Sequence, residues 1–417
     1  MTHLQNTTNA DASVQSAFAL PSYISDIIAR FDAAGYEVFC IGGCVRDIMR
    51  GVTPHDWDLC TSALPEQTLA LFADKTCLTV GIKHGTVTVM WDKNPVEITT
   101  YRCESAYIGH RAPSAVTFTP SLREDCLRRD FTVNALAYHP TTGLRDFFGG
   151  ANDLRAGILR CVGSPSERFD EDALRILRAL RFSSVLDFDI ETDTAAALHT
   201  CAPLLTYISG ERILSEFRKM LIGVRAASLL CEFADIIAVF YPPLGACAGL
   251  QPQIETCFAR CTTAETRLSA LLCLCGCTDA EDVRRIVSRL PVERRFLDTV
   301  TALAADAANM PPVTRADMRR RMTAESVGHI TDQLSLHASL FPAHADDCNR
   351  AAALCASVAA SGDVTRISQL AVNGRDLAAE HMSGRAIGEC LQMLLDAVID
   401  DKVENTRDAL LRYLKLR

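Results

Sequence analysis

Two aspartates one residue apart, Asp56 and Asp58, close a stretch (residues 36–62) that holds the groups phosphate chemistry needs, in order. On a strand, alternate side chains share a face, so the two carboxylates would lie side by side, roughly 7 Å apart. One or two carboxylates completed by substrate phosphates suit Mg²⁺, and a pair of such ions can act on a triphosphate. Upstream, Gly42 and Gly43 let backbone approach a phosphate, and the helix start behind them favours anions. Arg46, near that helix's first turn, can reach an oxyanion. Singly these features are commonplace: a D-x-D pair is often a solvated strand end, and Gly-Gly a tight turn. The joint order of strand, glycine pair, arginine and paired aspartates is what selects metal-dependent phosphate chemistry. Glu97 shares a face with Thr99 on a later strand and is either a third metal carboxylate or a surface glutamate.

A second stretch, residues 164–182, reads as helix with Ala173, Ile176, Leu177 and Leu180 as its core-facing stripe. Asp172, Arg175 and Arg178 follow at i, i+3 and i+6 along another flank. They form either an intrahelical ion-pair ladder or a reader of nucleobases. Cytosine and adenine both offer an amine donor beside a ring-nitrogen acceptor, so a carboxylate and an arginine can read both. Uracil and guanine invert that pattern and would leave buried polar groups unpaired. Arg178 and Arg181 suit phosphates. Arg181 lies about 180° round the helix from Asp172, which equally suits a structural ion pair.

Positioning these groups requires an α/β part followed by helices. Ile24, Ile27, Ile28 and Phe31 mark a helix at 22–31. The strand at 36–41 and short helix at 44–50 follow, then a helix opened by Pro65. Segments 77–80, 86–91 and 95–101 read as strands. Residues 103–122 lack periodicity and read as a long loop, which in a compact domain is functional or disordered. Residues 123–138 read as helix, and 143–150 as turn-rich. From about 151 the pattern is almost wholly helical, as at 172–182, 211–223, 226–240, 265–274, 280–290, 294–307 and 388–399. The expected domains are a disordered tail (1–20), a head (21–150), a base-selecting neck (151–225) and a body and tail (226–417).

A chain of 417 residues is expected to hold two to four domains. Its 48% hydrophobic and 22% charged residues are ordinary for a soluble protein, and no apolar run reaches membrane-span length. The first 20 residues lack a basic region and apolar core, so a secretory signal is not expected and a cytoplasmic setting is. The eighteen cysteines are scattered, with no C-x-x-C pair. Cys273, Cys275 and Cys277 sit in an apolar stretch and read as small buried hydrophobes rather than a metal or disulfide site. The net charge of −9 argues mildly against nucleic-acid binding unless basic residues gather on one surface.

The run Gly42-Gly43-Cys44-Val45-Arg46-Asp47, with Asp56-Trp57-Asp58, resembles the first motif of the nucleotidyltransferase superfamily that includes DNA polymerase beta. Its wording is similar to the class II tRNA nucleotidyltransferase and bacterial poly(A) polymerase branch. Glu171-Asp172-Ala173-Leu174-Arg175 resembles the nucleotide-selecting motif of class II CCA-adding enzymes. Arg128-Arg129-Asp130-Phe131-Thr132-Val133-Asn134-Ala135 resembles their second motif, residues 146–154 their third, and Ser209-Gly210-Glu211-Arg212-Ile213 their neck-helix motif. The likeness is thinner at Asn373-Gly374-Arg375-Asp376-Leu377 and at Gly384-x-x-Ile387-Gly388, where Arg385 replaces a proline frequent in the family.

This resemblance implies an α+β fold: a polymerase-beta-like nucleotidyltransferase head with a small mixed sheet, then an all-α neck, body and tail. It implies template-independent addition of C, C and A to the 3′ end of tRNA from CTP and ATP, with Mg²⁺ as cofactor, in a monomer or homodimer. Asp56 and Asp58 would be the catalytic metal ligands. Gly43, Arg46 and Arg128 would contact the triphosphate, and Asp172 and Arg175 would read the base, with Arg178 and Arg181 nearby. Two alternatives share the machinery. Poly(A) polymerases tend to carry a Gly-Arg-Arg-Phe-like run where this chain has Gly-Ile-Lys-His-Gly-Thr (81–86). CC-adding relatives have a shortened loop before the second motif, whereas residues 103–122 keep full length, with Arg111 and Pro113; A-only addition stays open. No H-x-x-x-H-D arrangement implies an appended phosphohydrolase.

Overall fold

The computed structural model describes residues 19–104, 107–110, 112–113, 116–379, 382 and 384–416. Most of the expected tail and Arg111 lie outside the described residues. Two compact units divide the chain: one runs to Leu229 and includes Asp235–Phe240, the other takes Leu230–Ala234 and Tyr241–Arg417.

The first unit is built on a seven-stranded mixed sheet. Helix α1 (Ser22–Ala33) buries the expected stripe of Ile24, Ile27, Ile28 and Phe31. Strand β1 (Val38–Ile41) follows, buried on both faces, then α2 (Gly43–Met49), β2 (Asp58–Thr61) and α3 (Pro65–Leu71). Strands β3 (Thr76–Leu78), β4 (Thr86–Trp91) and β5 (Asn94–Thr100) come next. With the later β10 (Ala137–His139) and β11 (Gly143–Arg145), the strand order is β11-β10-β1-β2-β5-β4-β3. All neighbours are antiparallel except β2 and β5. Phe39, Ile41, Cys60, Tyr101, Leu122, Cys126, Ala135 and Ala137 share one buried core, each large side chain contributing about 1.5–3 kcal/mol.

Two departures from the sequence expectations in this unit concern residues 102–138. The expected loop at 103–122 contains a β-hairpin: β6 (Arg102–Glu104) pairs with β9 (Val116–Phe118), and β7 (Tyr107–Ile108) with β8 (Ala112–Pro113). Both ladders keep one register, Arg102 opposite Phe118 and Ile108 opposite Ala112. Gly109 and His110 at the hairpin tip both take positive φ. The expected helix at 123–138 is only α4 (Leu122–Leu127), followed by a 3₁₀ turn (Thr132–Asn134) and β10. Pairing of Ala137 with Ile41 and of Phe131 with Cys161 recruits these apolar residues into sheet contacts, and such tertiary pairing overrides local helical pattern.

Helices α5 (Gly150–Ala156), α6 (Pro165–Glu171), α7 (Leu174–Leu186), α8 (Thr192–Cys201) and α9 (Gly210–Leu221) complete the unit's main frame. A two-stranded parallel ladder, β12 (Ile158–Leu159) with β13 (Asp189–Ile190), is the one sheet element among these helices. The second unit's described residues are helical, for example Ala264–Leu274, Arg294–Ala305, Val327–Leu340 and Arg385–Ile399. All eighteen cysteines are free thiols. Cys273, Cys275 and Cys277 are half-buried rather than buried, with Cys275 Sγ 3.7 Å from Cys247 Sγ.

Candidate active site

Strand β2 begins at Asp58, so Asp56 stands in the bend two positions before the strand rather than on it as expected. Exposure still alternates: Asp56 and Asp58 face outward while Trp57 and Leu59 are buried. The parallel register of β2 with β5 sets Glu97 directly beside Asp58. Partial desolvation and the Glu97 charge raise the Asp58 carboxyl pKa; Arg129 opposes this and Asp56 adds to it. Like charges gathered this way favour a bound cation. Among the described residues no three His, Cys, Asp or Glu side chains converge into a self-sufficient metal site. The donor set therefore fits a cation whose coordination is completed by substrate oxygens, as Mg²⁺ prefers.

The glycine pair performs two different tasks. Gly42 sits at φ 78° and ψ −127°, and a Cβ there would stand 3.3 Å from Arg129 Nη1, so glycine is required. Above Gly43 the notch is open, the nearest atom to a Cβ being Arg46 Nη2 at 3.7 Å. Arg46 is buried and already engaged: Nε donates to Asp47 Oδ1 at 2.9 Å and Nη1 to Asn134 Oδ1 at 2.7 Å.

The second motif is a buried polar network. Arg128 donates to Asp125 Oδ1 through Nε (3.0 Å) and Nη2 (2.7 Å), and Arg129 Nη2 donates to Asp125 Oδ2 at 3.3 Å. Burial raises the Asp125 pKa, but Arg129 and Arg128 overcome it and hold the group below its ordinary value. Asn134 turns its amide both ways, accepting from Arg46 and donating to Asp130 Oδ1 at 3.1 Å. Asp130 Oδ2 accepts from Arg178 Nε (2.9 Å) and Nη2 (2.5 Å). A continuous chain of polar contacts thus runs from α2 through the second motif to α7.

The specificity stretch is not one helix. Asp172 is extended (φ −135°, ψ 102°) between α6 and α7, and the next amide, of Ala173, donates to the His110 carbonyl on the hairpin tip at 2.9 Å. That diverted bond breaks the helix, and Asp172 Oδ1 instead accepts from Leu174 N at 3.1 Å, capping α7. Asp172 Oδ2 accepts from Arg212 Nη2 of α9 at 2.9 Å. Arg175 is paired elsewhere: Nη1 donates to Glu171 Oε2 (2.6 Å) and Arg168 O (3.1 Å), and Nη2 to Arg128 O (2.8 Å). Arg181 forms an ion pair with Glu216 of α9 at 2.6 Å, the structural alternative that its position on the helix left open.

Asp58 therefore stands beside Glu97 at the N-terminal end of β2, with Asp56 facing outward from the bend before it, and Arg46 meets Arg178 through Asn134 and Asp130. Asp172 and Arg175 sit at the same helix start, where the Arg175 amide donates to the Asp172 carbonyl at 2.9 Å while their side chains pair elsewhere. Sequence reasoning assigned no role to Asn134, Asp130, Arg212, Glu216 or Phe182. Arg212 lay inside a recognised motif, but nothing local joins it to a carboxylate 40 positions earlier. A cavity of about 530 Å³, lined by Tyr36, Phe39, Leu122, Arg123, His139 and Arg145 among others, touches the third motif at Phe147 but includes none of Gly43, Arg46, Asp56, Asp58, Arg128, Asp172, Arg175, Arg178 and Arg181.

A family model described as the poly A polymerase head domain matches residues 38–160. One named for the RNA and SrmB binding site of polymerase A matches 187–235, and one named tRNA nucleotidyltransferase domain 2 matches 260–414. A CCA-adding enzyme of Streptococcus gordonii is 35% identical over 411 residues, covering 95% of this chain and 98% of the relative. A CCA-adding enzyme of Geobacillus kaustophilus is 34% identical over 401 residues, covering 94% and 96%. Among solved structures, a Bacillus stearothermophilus CCA-adding enzyme in complex with CTP aligns with TM-score 0.79 at 30% identity, covering 95% of this chain and 97% of that one. A Thermotoga maritima CCA-adding enzyme complexed with tRNA shares the fold, with TM-score 0.68 at 20% identity over 97% and 98%.

Proposed function

The chain belongs to the family of CCA-adding enzymes, and from that premise we propose that it adds C, C and A in turn to the 3′ end of tRNA. CTP and ATP are the donors and pyrophosphate is released, without a nucleic-acid template. The observation that carries this reading is the carboxylate edge, Asp56 and Asp58 facing outward with Glu97 in register beside Asp58.

Asp56 and Asp58 hold Mg²⁺ together with substrate phosphate oxygens. When bound, the ion supplies activation of the tRNA 3′-hydroxyl and charge neutralisation on the departing pyrophosphate. Gly43, Arg46 and Arg128 orient the triphosphate, the open notch above Gly43 leaving room for its oxygens. Asp172 and Arg175 read the base, with Arg178 and Arg181 close by. Asp172 retains acceptor capacity, because each carboxylate oxygen takes more than one hydrogen bond. Arg175 engages a base by exchanging one of its present bonds to Arg168, Glu171 or Arg128. Uracil and guanine then leave both groups unpaired, which is the source of discrimination.

In this scheme residues 21–150 are the head, 151–225 the neck, and 226–417 a body and tail that hold tRNA. No helix among the described residues is long and apolar enough to cross a membrane. The protein acts on tRNA in the cytoplasm, as a monomer or homodimer.

The test uses three tRNA acceptors, ending before CCA, after C and after CC, each with Mg²⁺ and single labelled nucleotides, then with both. Addition of CCA followed by arrest supports the reading. Long A tails would move the chain to poly(A) polymerase, and activity confined to the CC-ended acceptor to A-only addition.

A further inference from the structure

Phe182, on α7, lies under three guanidiniums. Arg46 Cζ is 5.3 Å from the ring centroid, Arg178 Cζ 5.2 Å and Arg181 Cζ 3.9 Å. Arg178 and Arg181 come from the same helix, four positions and one position earlier; Arg46 arrives from α2 of the catalytic sheet. The ring is 8% exposed and meets Phe131 edge-on, with centroids 5.8 Å apart at 79°.

Three cations around one ring repel each other. Each has a carboxylate partner: Asp47 for Arg46, Asp130 for Arg178 and Glu216 for Arg181. These pairs pull the guanidiniums towards three different elements, α2, the second motif and α9. The Phe182 ring lies within 5.3 Å of all three, and its negative π-face attracts cations. At Arg181 burial lowers the pKa and Glu216 opposes this; the Arg178 charge lowers it further, Asp130 opposes, and Arg46 adds a smaller lowering.

We propose that Phe182 is a positioning residue that sets the spacing of Arg46, Arg178 and Arg181, so that they present one cationic surface to the polyphosphate of the incoming nucleotide. The inference rests on the nucleotide-binding reading above and adds to it a residue that touches neither base nor phosphate. A leucine at this position would fill similar apolar space without a π-face, and the arginines would separate towards their own carboxylates. Tyrosine would keep the face.

The experiment compares the wild type with Phe182→Leu and Phe182→Tyr in Mg²⁺ buffer. Isothermal titration measures binding of CTP, ATP and inorganic tripolyphosphate, the last carrying charge without a base. Phe182→Leu is expected to weaken all three by about five- to tenfold, to raise KM with little change in kcat, and to leave the preference for CTP over UTP intact. Phe182→Tyr is expected to bind as the wild type does. Wild-type tripolyphosphate affinity in Phe182→Leu overturns the inference. So does equal loss in both variants tracking a fall in thermal midpoint, which marks the ring as core packing alone. A wild type that binds none of the three probes overturns the nucleotide assignment itself, and the inference with it.

Discussion

Asp172 joins two helices with one carboxylate: Oδ1 accepts the Leu174 amide at 3.1 Å, and Oδ2 accepts Arg212 Nη2 at 2.9 Å. Capping and charge pairing can be separated by mutation, because asparagine caps a helix as well as aspartate does. Asp172→Asn is expected to fold with stability within about 0.5 kcal/mol of the wild type, while CTP and ATP incorporation falls at least about tenfold. Asp172→Ala should lose a further ~1 kcal/mol with the cap. Single-nucleotide incorporation beside urea unfolding checks both; unchanged incorporation by Asp172→Asn would remove Asp172 from base reading.

Asp56→Ala and Asp58→Asn each remove an exposed candidate metal ligand at the N-terminal end of β2. Incorporation of every nucleotide should drop by about 10³-fold or more, with tRNA retention on filters unchanged. Chelation of divalent ions should abolish wild-type labelling, and added Mg²⁺ should restore it. Near-normal turnover in either variant would falsify the metal assignment.

Asp130 is held at a pKa of about 2: burial pushes the carboxyl up, but the Arg178 charge and hydrogen bonds, with the Asn134 amide, outweigh it. A lowered folded-state pKa stabilises above the ordinary carboxylate value of about 3.9 and loses that contribution as pH falls towards 2. Asp130→Asn should therefore cost about 2 kcal/mol at neutral pH. The gap from wild type should narrow by about half between pH 5 and pH 3. Both tryptophans, Trp57 and Trp91, lie in the first unit, so their fluorescence reports its unfolding. A gap that does not change with pH would mean that ionised Asp130 contributes nothing.

A Cβ added at Gly150 would stand 2.1 Å from the Thr132 carbonyl oxygen and 2.7 Å from its carbon. The closest atoms are backbone, which cannot rotate out of the way as a side chain can, so Gly150→Ala should destabilise the first unit by ~3 kcal/mol or more. Gly149→Ala provides the contrast: nothing lies within 4 Å, and only its φ of 78° is strained, for ~1 kcal/mol. Thermal unfolding of the two variants should rank them in that order.

Much of the frame was legible because its signals are local. The stripe of Ile24, Ile27, Ile28 and Phe31, the strand–glycine–helix run at 38–49 and the helical periods after 151 each declare themselves within one or two turns. The outward placement of Asp56 and Asp58 on either side of buried Trp57 was legible for the same reason, although the strand that was to carry both begins only at Asp58.

Partner choice was decided by the tertiary structure. Arg46 meets Asn134 from 88 positions away, and Asp172 takes Arg212 from 40 away rather than Arg175 from three. The same long-range bonding turned 128–138 from helix into a 3₁₀ turn and strand, and opened the helix at Asp172 through the carbonyl of His110. A sequence shows which residues can donate, accept or stack. Buried polar groups must all be satisfied at once, and which partner satisfies each is determined only when the sheet and helices close around them.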